Sequence, residues 1–281
     1  MYTSQITRSR KGAILLLLDL SGSMAETIIF EGREESKAQA LANVVNSLVE
    51  EIISRCQKEH FVGDYFDIAI VGYSGTEAVS MLGRSWKSIA EVDQMYRSTR
   101  RRFITRTLPD GRKLSTIVES REWIAPQSNG RTPMGKALKM AKRLTSWWCS
   151  KHPDSFPPIV INISDGEATD ASHDKIRQLA KSLCEVGTSD GNVLLMNIHI
   201  ATGHDSAERV MCFPSESAAV PASRYARLLY DISSTLPEVY NREVGEFAGG
   251  QPPYRAICYN APIDEVVSLL AIGSLTTDRI I

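Results

Sequence analysis

Residues 13–18 of this 281-residue chain read Ala-Ile-Leu-Leu-Leu-Leu, and Asp-Leu-Ser-Gly-Ser follows at 19–23. An apolar side chain at every position, not at every second one, marks a strand covered on both faces. Such strands belong to parallel sheets with helices on either side. In open sheets of that kind, ligands bind where the loops leave the carboxyl ends of the strands. Asp19, Ser21 and Ser23 place three hard oxygens at alternate positions of such a loop, and Gly22 lets the backbone turn tightly between the serines. Oxygen donors with few carboxylates suit a small hard cation such as Mg2+, which keeps several of its waters.

The Asp-x-Ser-x-Ser spacing resembles the metal-ion-dependent adhesion site of the von Willebrand factor A domain. Two further segments match that family's pattern in the right order. Gly130-Arg131-Thr132-Pro133-Met134-Gly135 puts a threonine on a loop entering a helix, and residues 159–166, Ile-Val-Ile-Asn-Ile-Ser-Asp-Gly, end a later apolar strand in an aspartate. The resemblance covers residues 11–213. It implies that Ser21, Ser23 and Thr132 are hydroxyl ligands of Mg2+, or of Mn2+ or Ca2+ in the same site. It implies that Asp19 and Asp165 act directly or through water. Gly22, Met24, Arg131 and Gly166 flank these positions and are expected at the partner-binding face. Neutral hydroxyls leave the ion electrophilic, so an Asp or Glu of a partner protein is expected to complete its shell. The implied function is protein–protein interaction, not enzymology. Beyond residue 214 the chain looks similar to a bacterial subgroup often encoded beside a protein phosphatase and a Ser/Thr kinase. That likeness implies a scaffold in a cytoplasmic signalling complex, with components of such a system as partners.

The expected architecture is α/β: a doubly wound, mostly parallel sheet flanked by helices, with right-handed crossovers. Residues 1–281 are expected to form one such domain. Residues 76–129 read as an insert holding a helix and a β-hairpin, and residues 214–281 as a helical C-terminal extension packed on the domain. Within this frame residues 24–35 form a long connection whose glutamates read either as touching the site or as lying in solvent, and the second is favoured. Ser36 and Gln39 then read as a capping box. Thr132 is expected to double as N-cap, with Pro133 as the first helical residue. Residues 102–107 and 113–118 are β-rich around the turn signal Pro109-Asp110-Gly111. A terminal helix is expected at 264–271.

Other function classes find less in the sequence. The formal net charge is −1, which gives no global pull toward nucleic acid or an anionic membrane. The insert carries a basic cluster, Arg97, Arg100, Arg101, Arg102, Arg106, Arg112 and Lys113. It reads either as a nucleic-acid patch or as a solvated hairpin with charged edges, and the second is favoured because only Phe103 accompanies the charges. An aspartate ending a buried strand also suits an aspartate-nucleophile phosphatase, but that chemistry needs a second carboxylate two residues on, where Ser21 stands. No nucleophile elbow, phosphate-binding Gly-Lys loop or dinucleotide fingerprint is present. The five cysteines are dispersed and odd in number, as expected of reduced thiols in the cytosol. Arg8, Arg10 and Lys11 precede the apolar run, but Asp19 interrupts it and no cleavage site follows, so a strand with a basic flank is expected instead of a signal peptide. The histidines lack organised carboxylate or cysteine partners and make no competing metal site.

Overall fold

The computed structural model describes the chain apart from residues 31–32, 84, 108–112, 166–167, 201–210, 217–223 and 260–281. The apolar run forms β1 (Gly12–Asp19), buried at all eight positions. Ile14, Leu16 and Leu18 enter one core, and Ala13, Leu15 and Leu17 enter another on the opposite face. Side chains that alternate across a strand require both cores to be apolar, hence the unbroken run.

A short hairpin, β2 (Thr27–Phe30) and β3 (Arg33–Ser36), leads into α1 (Lys37–Cys56), so the connection at 24–35 holds regular structure. Ser36 caps α1 by accepting from the Gln39 amide at 3.1 Å. The Gln39 side chain turns forward to Asn43 instead of back, and only half of the capping box forms. Leu41, Val45, Leu48, Val49 and Ile52 of α1 pack in the first core.

Next come β4 (Phe66–Ser74), β5 (Glu77–Ser80), β6 (Lys87–Ser88) and the short helix α2 (Ile89–Asp93). The predicted hairpin is present as β7 (Ser98–Thr107) and β8 (Lys113–Glu122), longer at its open end than the β-rich runs suggest. Its turn, Pro109-Asp110-Gly111, lies outside the described residues. Asn46 of α1 pins the far end of β8: its side chain accepts from the amides of Trp123 and Ile124 and donates to the Ile124 carbonyl.

The second half contains α3 (Met134–Lys151), β9 (Ile159–Ser164), α4 (His173–Cys184), a small ladder of β10 (Gly187–Thr188) and β11 (Gly191–Asn192), and β12 (Leu194–His199). It continues through β13 (Met211–Cys212), α5 (Arg224–Ile232), α6 (Asn241–Ala248) and β14 (Ile257–Tyr259). The main sheet has the order β13-β14-β12-β9-β1-β4-β5, with β6 also on β4. Strands β14, β12, β9, β1 and β4 run parallel, and antiparallel strands lie at both edges. The chain beyond residue 214 thus supplies a sheet strand as well as helices. The expected terminal helix at 264–271 lies outside the described residues.

Two features of this path position the site. The chain leaves β1 through α1 to reach β4 on one side, and later enters β9 and β12 on the other. Helix α1 packs in the first core, whereas α3, α4 and α5 pack in the second. Strand order therefore reverses between β1 and β9, and a crevice opens at their carboxyl ends, the usual ligand position in doubly wound sheets.

Candidate metal centre

Asp19 ends β1, and Asp165 follows the last residue of the neighbouring strand β9. Parallel pairing brings these two carboxylates, far apart in sequence, to one edge. Asp19 is fully buried, with Oδ1 accepting from the Ser21 amide at 2.9 Å and Oδ2 from the Ser164 hydroxyl at 2.6 Å. The Ser21 and Ser23 hydroxyl oxygens are 3.1 Å apart, and Ser23 donates to Asp165 Oδ1 at 2.9 Å. Each hydroxyl has one proton, so Ser21 is the donor to Ser23. A directed chain thus runs from Ser21 through Ser23 to Asp165, with Ser21 buried and Ser23 exposed.

Thr132 arrives on a separate loop. The Gly22 amide donates to the Gly130 carbonyl at 2.9 Å, and the Asn129 amide to the Leu20 carbonyl at 2.8 Å, so that loop is laced to the serine loop. Gly130 has φ +69°, and a Cβ there would sit 2.8 Å from the Gly75 Cα. Only glycine accommodates both the left-handed backbone and that approach. Thr132 is buried and exchanges backbone and side-chain bonds with Thr169, but its own hydroxyl takes no partner among the described residues.

Thr132 does not cap α3, contrary to expectation. The helix begins at Met134, and its first amides are capped from elsewhere: Asp170 accepts from Gly135 and Lys136, both at 2.9 Å. A carboxylate at a helix N-terminus satisfies orphan amides and complements the helix dipole. The Thr132 hydroxyl is thereby left for other use.

The other predicted positions divide. Gly22 and Arg131 are exposed beside the hydroxyls. Met24, expected at the partner face, is instead fully buried in the first core, because the 3-10 turn after Gly22 points it inward. Gly166 lies outside the described residues. Two residues that the sequence did not single out belong to the site. One is Asp170. The other is Lys37, wholly buried at the start of α1, whose Nζ donates to Asp165 Oδ2 at 2.8 Å and Glu26 Oε2 at 2.7 Å. Glu26 therefore reaches the site through Lys37 instead of simply facing solvent.

Burial raises the Asp19 carboxyl from 3.8 to about 6, against the lowering effect of its bonds to Ser164 and Ser21, with the nearby Asp165 adding to the rise. A cation would oppose that rise. The donor set suits one. Ligand oxygens 2.0–2.1 Å from an octahedral Mg2+ lie about 3 Å from their neighbours. The Ser21–Ser23 oxygen separation, 3.1 Å, matches that edge, while Asp165 accepts from Ser23 and stands behind it. Among the described residues no three His, Cys, Asp or Glu side chains form a metal cluster, so any ion here would depend on the hydroxyls.

No protein-family model matches the sequence, and no curated protein matches it. Solved structures do. Proximal thread matrix protein 1 from the mussel byssus is similar over 96% of this chain and 48% of its own, with TM-score 0.50 and 14% identity. A von Willebrand factor type A protein from Catenulispora acidiphila is similar over 68% of this chain and 34% of its own, with TM-score 0.40 and 15% identity. The corresponding domain of the type V pili tip protein Mfa5 from Porphyromonas gingivalis covers 57% of this chain and 39% of its own, with TM-score 0.34 and 14% identity. The fold is a mostly parallel α/β sheet flanked by helices. The likeness is one of fold, and this chain spans less than half the length of each of these structures.

Proposed function

We propose that the chain is a non-enzymatic, cation-dependent protein-interaction module, working as a scaffold in a bacterial cytoplasmic complex. The observation that carries this reading is the single hydrogen-bonded chain linking Asp19, Ser21, Ser23 and Asp165 across two strands at the switch point. In it Asp19 fixes the serine loop through the Ser21 amide. Asp165 takes the Ser23 proton, which orients that oxygen. The Thr132 hydroxyl, released from capping by Asp170, is the third neutral donor. A bound Mg2+, or Mn2+ or Ca2+ in its place, would supply an electrophilic position for an Asp or Glu of a partner protein. Gly22 and Arg131 border the exposed Ser23 and form the surface such a partner would meet. Proteins of a kinase and phosphatase system are the partner class that we put forward.

Two observations favour this reading over its rivals. Ser21 occupies the place where a phosphatase of the aspartate-nucleophile type needs its second carboxylate. In the insert, Arg100 and Arg101 are paired across the hairpin with Glu122 at 3.2 Å and Glu119 at 2.7 Å, which spends basic charge that a nucleic-acid surface would need. No described helix is long and apolar enough to cross a membrane. The test is a pull-down from the native cell with Mg2+, with EDTA, and with Asp19→Ala. Partners recovered only by the wild-type chain with Mg2+ are the expected result. Equal recovery in all three refutes the reading.

A further inference from the structure

Lys37 has no role in the reading above, yet it is as completely buried as Asp19. A lysine ammonium taken out of water is costly unless anions surround it. Asp165 at 2.8 Å and Glu26 at 2.7 Å do so. The two are unequal partners: the Asp165 side chain is 2% exposed and that of Glu26 58% exposed, so solvent screens the second. The Lys37 amide also donates to the Glu26 carbonyl at 3.0 Å, which fixes the start of α1 against the serine loop.

We propose that Lys37 is a tethered counter-cation of the candidate metal centre: it weakens the site's hold on a divalent ion and makes the loaded site demand an anion. The proposal rests on the cation-dependent reading. Asp165 uses Oδ2 on the ammonium and Oδ1 on Ser23, so it acts through the Ser23 hydroxyl and not as a direct ligand. The buried charges are two carboxylates and one ammonium. A divalent ion turns that sum from one negative to one positive, and a partner's carboxylate then neutralises it. With the two carboxylates alone, the same ion would already be balanced, and a third acid would gain little. Lys37 is thus a specificity-determining residue for acidic ligands.

The test follows Mn2+ by electron paramagnetic resonance in the full chain, with circular dichroism confirming the fold. Lys37→Met is expected to bind Mn2+ about tenfold tighter or more, because a like charge a few Å away is removed from a low-dielectric site. Acetate is expected to perturb its bound Mn2+ signal less than that of the wild type. Glu26→Gln leaves the ammonium wholly on Asp165 and is expected to weaken Mn2+ binding. Glu34→Gln, an exposed acid on the neighbouring strand β3, serves as the control and is expected to change little. Lys37→Met binding no tighter than wild type overturns the proposal. So does a Glu26→Gln variant indistinguishable from Glu34→Gln, which decides the matter alone if Lys37→Met does not fold. Absence of Mn2+ binding in both wild type and Lys37→Met overturns this proposal together with the cation-dependent reading. Binding by Lys37→Met alone supports the role of Lys37 and refutes only the cation dependence of the native chain.

Discussion

Replacing Asp19 with asparagine isolates the electrostatic cost of the site. Burial lifts this carboxyl from 3.8 to about 6 in the folded chain. The folded state therefore holds the proton more tightly than the unfolded state does. The resulting stabilisation is fully present below about pH 4 and is lost as pH rises through about 6. At about 1.4 kcal/mol per pH unit, that rise costs the ion-free protein about 3 kcal/mol by pH 7. Asp19→Asn cannot ionise, so it lacks this slope, and any bond it loses to Ser164 is a constant offset. The assay is urea unfolding in EDTA from pH 4 to 7.5 for both proteins. The difference between their unfolding free energies cancels all other titrating groups and is expected to move by about 3 kcal/mol in favour of the variant as pH rises. On the proposed cation-dependent reading Mg2+ would bind the ionised form, so adding it is expected to flatten the wild-type slope and leave the variant unchanged. A difference that stays constant across the range, in EDTA, would refute the claim that Asp19 is held ionised at a cost.

Two further outcomes test the scaffold around the site. Asp170→Ala removes the carboxylate that caps α3 through Gly135 and Lys136 and is expected to cost about 1–2 kcal/mol in chemical unfolding, with faster exchange at those two amides. Asn46→Ala leaves the buried Trp123 and Ile124 amides and the Ile124 carbonyl without their partner and is expected to cost about 2–4 kcal/mol, read as a lowered urea midpoint.

What the sequence revealed and what it hid follow from how local each cause is. The doubly wound sheet is legible because β1 and β9 must be apolar on both faces, and that demand is written in consecutive residues. The serines are legible for the same reason, since Asp19, Ser21 and Ser23 share one loop. Asp165 was found only because it ends a second such strand. Lys37 was not found. In the sequence it is one more polar residue at the start of an amphipathic helix, and its burial exists only once β9 delivers Asp165 to the same edge. Asp170 was missed for a similar reason. A helix is ordinarily capped by its own preceding residue, and Thr132 met that local rule, yet the cap came from the loop after β9. Met24 errs in the opposite sense: its position beside Ser21 and Ser23 suggested a surface role, while the tight turn after Gly22 sends its side chain into the core. Glu26, just before β2, and Glu35 on β3 reach α1, where they bind Lys37 and Asn43, so an unremarkable connection brings charge to the site. Lys37, Glu26 and Asp170 share a cause: each is a polar group whose partner lies on another element, so tertiary packing decides whether it is surface or site. Charge balance in the crevice is therefore a tertiary property, which is why a motif of hydroxyls and acids alone underdetermines how strongly this chain would hold an ion.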